Sequence, residues 1–410
     1  MSQLSSRGQR LVDSPPLPEY INEHFLRAAE PWHAEQNPDA YVSLCIAENK
    51  LHNDALNQLL SRSTVPSSVF GYDAMHGNLE FRTHLARFLE RSFLGRSFAP
   101  EQLVLLAGAG AVLEMLFYTI CDPGDGVLIP TPSYAGFWFD LETRDELKIV
   151  PANCDSSDDF QLTPAILDAA IDAADCPVKA LLFTTPNNPL GQVYSSAEIL
   201  EIVDWAAARE IHLVVDEIYA LSVFADDEFV SAAALQARLG DNVHIVWAFS
   251  KDFGASGLRC GVLISENSDV LAAVSGMAYW AACSGHTQHL LSELVADDVA
   301  VDRYLAESRH KLKQAYDRVT KALDSFDIPY LEASAAFFLI CDLRAYLEAP
   351  TWAAERKLWR KILEQAKVNL TPGEACRINE PGFFRLCYAA ENGAAVEASI
   401  ARLRHTLSAG

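Results

Sequence analysis

The sequence predicts an α/β fold, in which a large domain with a mostly parallel central sheet flanked by helices is joined to a smaller α+β domain. From about residue 102, short apolar runs with the character of buried strands alternate with helical patterns. Such alternation is typical of a parallel sheet covered by helices on both faces. After about Asp302 the pattern changes to a long amphipathic helix, shorter strands and a last helix. The 410 residues, 50% of them hydrophobic, are enough for two such domains.

Three segments are expected along the chain. Residues 1–52 are predicted to form an N-terminal arm and a segment of the small domain, residues 53–300 the large domain, and residues 301–410 the small C-terminal domain. Within the large domain, we expect a helix from Asn53 to Ser61. The turn at Gly77 is expected to open another helix, with its apolar side chains at positions 81, 85, 88 and 89.

Five apolar strands of the large domain each run into a polar or small-residue loop. The stretches are QLVLLAGAG, GVLIPTPSYAGF, KALLFTTPNNPLG, IHLVVDEIYAL and NVHIVWAFSKDFGASGLRCG. In sheets of this kind, ligands bind at the carboxyl ends of the strands. We therefore expect the polar residues of these loops to share one site.

The composition argues against several functions. The chain has 32 Lys and Arg against 55 Asp and Glu, a formal net charge of −23, which disfavours nucleic acid or an anionic membrane surface as a partner. No apolar run of membrane-spanning length and no apolar signal segment is present, so we expect neither a membrane span nor secretion. The nine cysteines are scattered without CxxC pairs, which favours reduced thiols, a cytoplasmic location and no metal site.

Lys251 is the residue around which the rest of the chain is organised. It follows the apolar strand that begins at Val243, a poor position for a charge unless the amine has a function. An amine in a partly dry pocket near a second cation, here Arg259, loses its proton easily and becomes a nucleophile. A solvated loop is the alternative explanation for a lysine and an arginine at this spacing.

Three other features are explained by a bound ligand. The GAGA turn at 108–111 lies between a strand and a helix, where free backbone amides attract an anion, although many ordinary turns look alike. Asp216 closes an apolar strand, and a buried carboxylate is costly unless it is paired; capping the next turn is the alternative. Arg385 lies between apolar residues and requires a carboxylate, either from a substrate or from a structural salt bridge.

These motifs carry a resemblance to a known family. Ser250-Lys251, the glycines at 254 and 257, and Arg259 resemble the cofactor-lysine segment of fold-type I enzymes that use pyridoxal 5′-phosphate (PLP), the class I/II aminotransferase superfamily. Within it, SKDFGASGLRCG is most similar to the 1-aminocyclopropane-1-carboxylate (ACC) synthase branch. The resemblance covers nearly the whole chain and includes PWHAEQNPDA and SLCIAENKL.

The resemblance implies PLP as the cofactor and a role for each matching residue. Lys251 is implied as the catalytic residue, with Asp216 and Tyr219 beside it. The implied cofactor contacts are Ala109, Gly110 and Arg259 at the phosphate, Asp216 at the pyridine nitrogen, Tyr219 and Asn188 at the phenolate oxygen, Tyr134 on the ring face, Ser250 and Lys251 in the attachment segment, and Tyr72 at the phosphate of a neighbouring subunit. The implied substrate contacts are Glu48, Arg385, Asn188 and Tyr134. A homodimer with shared active sites follows from the same resemblance.

Glu48 is the residue that favours one reaction over the others. In ACC synthases a glutamate at this point faces the sulfonium of S-adenosylmethionine (SAM), and an acid is a suitable partner for that cation. We therefore expect Cα deprotonation and Cγ elimination on SAM or a similar γ-substituted amino acid, with methylthioadenosine leaving. The product either cyclises to ACC or captures a second small molecule. A surface glutamate is the alternative explanation for Glu48.

Three departures from the branch leave the reaction open. Ala248 replaces a phosphate-binding serine, Met75 replaces a tyrosine, and Phe139 replaces an arginine of the plant enzymes. The main alternative is therefore an aminotransferase that moves an amino group between an amino acid and a 2-oxo acid. A scaffold that has lost catalysis is a second alternative, against which Lys251, Asp216 and Arg259 argue.

Overall fold

The computed structural model describes residues 4–225 and 229–408. Its strands are β1 Val42–Ser43, β2 Leu103–Leu106, β3 Gly126–Thr131, β4 Lys148–Asn153, β5 Val178–Thr184, β6 His212–Asp216, β7 Val243–Ala248, β8 Gly261–Ser265, β9 Tyr330–Leu331, β10 Phe338–Asp342, β11 Val368–Asn369, β12 Thr371–Pro372 and β13 Phe383–Cys387. Its α-helices are α1 Ser6–Asp13, α2 Glu19–Arg27, α3 Asn53–Leu60, α4 Leu79–Leu89, α5 Ala109–Ile120, α6 Phe137–Glu142, α7 Pro164–Ala173, α8 Ser196–Ala208, α9 Phe249–Asp252, α10 Ser268–Met277, α11 Gly285–Ala296, α12 Asp298–Asp324, α13 Trp352–Lys361 and α14 Gly393–Ser408.

The central sheet has seven strands in the order β2-β8-β7-β6-β5-β3-β4. Only β8 runs against its two neighbours, and the remaining pairs are parallel. Strands β2, β3, β7 and β8 are buried along their whole length, as their uninterrupted apolar runs predict. The prediction of a mostly parallel sheet flanked by helices is confirmed.

The helices of the large domain begin where local sequence predicts. The predicted helix after Gly77 is α4, and the Asn78 side chain caps its start by accepting a hydrogen bond from the Phe81 amide. The four predicted apolar positions of this helix are all buried. Helix α8 opens with a capping box between Ser195 and Glu198. After the GAGA turn, the apolar helical pattern AVLEMLFYTIC predicts a helix that starts at Ala111, and α5 begins two residues earlier, at Ala109.

The small domain is built on the antiparallel sheet β12-β13-β10-β9. Strand β1 pairs in parallel with β11, and Tyr20, Tyr41 and Val42 belong to the same hydrophobic core as β10 and β13. The N-terminal segment therefore packs with the C-terminal part of the chain. The domain boundaries at 52 and 300 remain predictions.

Helix α12 connects the two parts of the molecule without a break. Its first turns contribute Val301, Tyr304 and Leu305 to the core beneath the large sheet, and the later turns contribute Leu312 and Val319 to the small-domain core. Along the described ranges, no helix is long and apolar enough to cross a membrane.

Candidate active site

A cleft of 410 Å³ opens at the carboxyl ends of β5, β6 and β7, where the small domain meets the large sheet. Eleven of the twelve predicted site residues line it, and only Tyr72 does not. The eleven are Glu48, Ala109, Gly110, Tyr134, Asn188, Asp216, Tyr219, Ser250, Lys251, Arg259 and Arg385. Residues that lie 337 positions apart in the sequence thus share one cavity because the strands that carry them end at one edge.

Lys251 lies on the short helix α9, directly after β7, where a loop was expected. Its ammonium donates a hydrogen bond of 2.6 Å to the carbonyl oxygen of Ala47. Burial, and secondly the charge of Arg385, lower the pKa of Lys251 to about 8. About a tenth of this amine is therefore uncharged at pH 7, far more than for an ordinary lysine, and the uncharged form is the nucleophile or base.

Asp216 ends β6 and is buried at the floor of the cleft. One carboxylate oxygen accepts the amide of Ile218 at 3.2 Å. Burial raises the pKa of Asp216 to about 7, and the neighbouring Lys251 opposes that rise. A cationic N–H group placed against the carboxylate would restore the ionised form.

An anion site is formed by the first turn of α5 together with Arg259. Gly108 has φ +97° and precedes the helix without a side-chain cap, so the first-turn amides are free to face the cleft. The Arg259 guanidinium lies against this turn and donates to the carbonyl oxygens of Ala107 and Ser256, each at 3.2 Å. A Cβ at Gly108 would lie 2.5 Å from Arg259 Nη2, so only glycine permits this approach.

The wall between the anion site and the small domain carries hydroxyl, amide and ring groups. The Asn188 side-chain amide donates to the Tyr219 hydroxyl at 3.3 Å. Phe337 and Phe338 pack edge-on against the Tyr219 ring and fix its orientation. Tyr134 is 38% exposed, which leaves one face of its ring available to a planar ligand.

Arg385 is buried on β13 and has no carboxylate partner among the residues that the structure describes. Its Nη1 donates to Asn188 Oδ1 at 2.9 Å, and its Nη2 donates to the carbonyl oxygen of Cys45 at 2.9 Å and to Thr371 Oγ1 at 3.2 Å. Its Nε is buried without a hydrogen-bond partner. The structural salt bridge that the sequence left open is therefore absent from the described part of the chain, and the guanidinium that lines the cleft has no counter-ion among those residues.

Glu48 lines the cleft with its side chain 35% exposed. Its carboxylate forms an ion pair of 3.0 Å with Lys50, which is more exposed. The negative charge of Glu48 is also close enough to raise the pKa of Lys251 slightly against the effect of burial. Glu48 is thus an acid at the mouth of the cleft rather than a fully solvated one.

The remaining predicted site residue and the three departures from the ACC synthase branch lie outside the cleft. Tyr72 is 99% exposed and does not reach the cleft of its own chain. Ala248 is fully buried at the end of β7, and Met75 is partly buried against the core that contains α5. Phe139 lies on α6 outside the cleft, in a neighbouring cavity.

Eleven further residues line the cleft that the sequence alone did not single out, and four of them carry a hydroxyl or carboxyl group. Tyr20 comes from α2, Asp140 from α6, Thr184 from the end of β5 and Ser256 from the loop before β8. Burial raises the pKa of Asp140 to about 6. For Asp140, its place within the aromatic stretch FWFD was a signal in the sequence that could have identified it. For Tyr20, which is far away in the sequence, there was no such signal.

The arrangement fits PLP. The free amides and Arg259 suit a phosphate, the isolated Asp216 suits a pyridine N–H, the Tyr219–Asn188 pair suits a phenolate oxygen, and Lys251 suits an aldehyde. The Arg385 guanidinium, which has no carboxylate partner among the described residues, suits a substrate carboxylate. Within the described ranges, no group of three or more metal-ligating side chains is present.

Comparisons with known proteins agree with this fit. The family model described as aminotransferase class I and II matches residues 42–403. The chain is 36% identical to 1-aminocyclopropane-1-carboxylate synthase 4 of Oryza sativa subsp. japonica, over 93% of this chain and 85% of that protein. It is 34% identical to 1-aminocyclopropane-1-carboxylate synthase 6 of Arabidopsis thaliana, over 91% of this chain and 79% of that protein.

Solved structures show the same fold at lower sequence identity. Aspartate aminotransferase from Thermus thermophilus with maleate superposes with a TM-score of 0.83 at 21% identity, covering 99% of this chain and 100% of that one. The aromatic aminotransferase from Pyrococcus horikoshii superposes with a TM-score of 0.78 at 22% identity, covering 90% and 96%.

Proposed function

Because the chain belongs to the class I and II aminotransferase family of PLP-dependent enzymes, we propose that it deprotonates an amino acid at Cα and eliminates a group from Cγ. The substrate is SAM or a similar γ-substituted amino acid, and methylthioadenosine is the leaving group. The remaining four-carbon unit either closes to ACC or is joined at Cγ to a second small molecule. The similarity to ACC synthases over more than nine tenths of the chain supports this choice.

Bound PLP supplies an electron sink for the charge that develops at the substrate Cα. The residues of the chain then have separate tasks. Arg385 orients the substrate carboxylate through its guanidinium, and Lys251 Nζ removes the Cα proton. The lowered pKa of Lys251 lets the amine act as this base near neutral pH. Asp216 keeps a proton on the ring nitrogen, and Arg259 with the amides of Ala109 and Gly110 holds the phosphate.

Glu48 is the observation that carries the preference for SAM. Its carboxylate lies at the mouth of the cleft that contains Lys251 and Arg385. A sulfonium cation beside this carboxylate gains Coulomb attraction, and the attraction disappears when neutral methylthioadenosine forms. Ion pairing with Lys50 competes with that role, so substrate binding would have to replace the 3.0 Å contact.

The deciding experiment is mass-spectrometric product analysis with SAM as the sole substrate. We expect methylthioadenosine together with ACC or another four-carbon product. Glu48→Gln should reduce kcat/KM for SAM by about tenfold or more, while PLP absorbance stays as in the wild type. Lys50→Gln is the matched control, since it removes the partner of Glu48 and leaves the acid in place. Equal SAM turnover in Glu48→Gln would remove the reason for preferring a sulfonium substrate.

Transamination is the second candidate. Phe139 replaces the arginine of the plant ACC synthases, and the cavity beside the cofactor cleft is more apolar for it. If SAM yields no methylthioadenosine and the enzyme instead consumes an amino acid with a 2-oxo acid, the function is that of an aminotransferase. Absence of both activities and of a visible-range cofactor band would mark a scaffold without catalysis.

A homodimer with shared active sites is part of the proposal. Tyr72 is 99% exposed, as a residue that serves a neighbouring subunit would be before assembly. Phe70, Tyr279 and Trp280 are exposed by 82%, 70% and 72%, which is unusual for aromatic side chains on a free surface. Mixing two weakly active variants, Tyr72→Phe and Lys251→Ala, should restore about a quarter of wild-type activity through hybrid dimers. No recovery after subunit exchange would contradict shared sites.

A cytoplasmic location also belongs to the proposal. All nine cysteines are free, and eight of them are buried. A reducing compartment keeps such thiols from pairing.

A further inference from the structure

A second cleft, of 260 Å³, adjoins the cofactor cleft. Tyr20 lines both cavities and forms the partition between them. The second cleft is also lined by Ala135, which follows Tyr134, and by Phe139, which precedes Asp140 of the cofactor cleft. The two cavities are therefore neighbours, and we call the second one the vestibule.

Among the charged side chains that line the vestibule, one guanidinium has no carboxylate partner in the described part of the chain. Arg356 is held by Glu374 through two hydrogen bonds of 2.6 and 2.7 Å, and Glu19 is paired with Arg360. Arg377 also lines the vestibule, and no carboxylate of the described residues comes within 4.0 Å of it. Two acids feel its charge from farther away. The pKa of Glu374 is lowered, mainly by its hydrogen bonds from Arg356 and in smaller part by the Arg377 charge, and the same charge opposes the rise that burial causes in the pKa of Glu142.

Arg377 lies in a turn with a strained backbone, and contacts with neighbouring residues hold this turn in place. Its φ of +57° is in the left-handed region, which non-glycine residues seldom adopt and which often marks a functional position. Its guanidinium stacks on the Trp138 ring at 4.6 Å. The carbonyl oxygen of the preceding Cys376 accepts the Ser133 amide at 2.9 Å, so the turn is tied to the loop that carries Tyr134.

We propose that the vestibule binds a carboxylate-bearing small molecule with an apolar body. Its carboxylate lies against the Arg377 guanidinium, and its apolar part lies against Phe139 and Trp359. A planar guanidinium recognises a carboxylate through two parallel hydrogen bonds, and Arg377 is exposed, so a ligand can reach it. In a protein with a net charge of −23, an unpaired cation is the element that admits an anion to this edge of the site.

The occupant is the second substrate of the γ-replacement, so this assignment rests on the proposed function. In that reaction the Cγ–S bond of SAM breaks and its electron pair leaves with methylthioadenosine. The nucleophilic atom of the second substrate bonds to Cγ, and its proton is released to solvent. The position of the vestibule behind Tyr20 places the incoming molecule next to the cofactor cleft without occupying the Arg385 contact.

The test is calorimetric titration of the holoenzyme with 3-phenylpropionate, and with 3-phenylpropanol as the neutral analogue. Arg377→Gln should weaken binding of the acid about tenfold or more. Arg303→Gln, an exposed arginine on α12 that does not line either cleft, should bind the acid as the wild type does. The alcohol should not distinguish Arg377→Gln from the wild type. Identical isotherms of the acid with wild type and Arg377→Gln would overturn the proposal.

Methylthioadenosine release from SAM alone separates this proposal from the proposed function. Arg377 does not line the cofactor cleft, so Arg377→Gln should release methylthioadenosine within about twofold of the wild-type rate. No release by the wild type would refute the SAM assignment and leave the binding result to decide the vestibule by itself. A severe loss of release in Arg377→Gln would place this arginine in the first half-reaction and refute a role limited to the second substrate.

Discussion

Replacing Gly108 by alanine tests whether the turn between β2 and α5 holds a phosphate together with Arg259. The new methyl group would lie 2.5 Å from Arg259 Nη2 and 2.8 Å from Cζ, too close for either atom to stay. The guanidinium is the mobile partner, so it would leave the turn and lose its bonds to Ala107 and Ser256. Gly108 also has φ +97°, and alanine there adds backbone strain of about 1–3 kcal/mol.

The loss can be estimated for the cofactor separately. A charge-assisted hydrogen bond contributes about 1.5–3 kcal/mol. Without the Arg259 contact, the Kd for PLP should therefore rise about 10- to 100-fold. The assay is titration of the apoprotein with PLP, followed by the absorbance of the bound cofactor.

Gly124→Ala is the matched control for this experiment. Gly124 has φ +90°, so alanine is strained there as well, but no atom lies within 4 Å of the added Cβ. It should lower thermal stability without changing the Kd for PLP. If Gly108→Ala binds PLP as tightly as Gly124→Ala does, the turn and Arg259 do not form the phosphate site.

Three other predictions concern the cleft. Lys251→Ala should show no pyridoxyl mass on the protein after borohydride treatment in the presence of PLP, whereas the wild type should carry it at residue 251; an adduct elsewhere in the wild type would contradict the assignment. Burial raises the pKa of Asp216 to about 7, so the folded apoprotein holds this proton more tightly than the unfolded chain does. The resulting contribution to the free energy of unfolding is complete below about pH 4 and is lost as the pH rises through 7. The difference in unfolding free energy between apo wild type and apo Asp216→Asn should therefore shift in favour of the variant between about pH 4 and pH 7, and a constant difference in pH-dependent denaturation would refute it. Arg385→Lys keeps a charge but loses the planar fork, so KM for the amino-acid substrate should rise about tenfold or more with the PLP spectrum unchanged, and an unaltered KM would exclude the carboxylate contact.

The arrangement of the large domain could be predicted because its signals are local. Each strand of the sheet is an apolar run that ends in a polar loop, and parallel strands bring those ends to one edge. Asp216 and Lys251 therefore meet in the cleft even though 35 positions separate them. A buried ionisable residue at the end of such a strand is costly without a ligand, which makes it visible in the sequence.

The remaining site residues depend on contacts that no local pattern encodes. Tyr20 is tied to β11, since its backbone carbonyl oxygen accepts a hydrogen bond of 2.8 Å from the Asn369 side-chain amide, a contact across 349 positions of the sequence. Arg377 is positioned by its left-handed backbone conformation and by stacking on Trp138. Neither of these produces a repeating pattern of residues that the sequence would show. Helix α5 begins at Ala109, earlier than expected, because the extended, positive-φ conformation of Gly108 ends the strand abruptly.

The 27 residues of α12 span about 40 Å and are shared by both hydrophobic cores. Tyr304 fastens its first half to the large domain through the Phe253 carbonyl at 2.7 Å, while Leu312 and Val319 fasten its second half to the small one. Helix α12 is continuous, so no loop interrupts it at the border between the two cores. A tilt of the small domain that brought Arg385 closer to Lys251 would therefore bend α12 itself rather than turn about a loop within it.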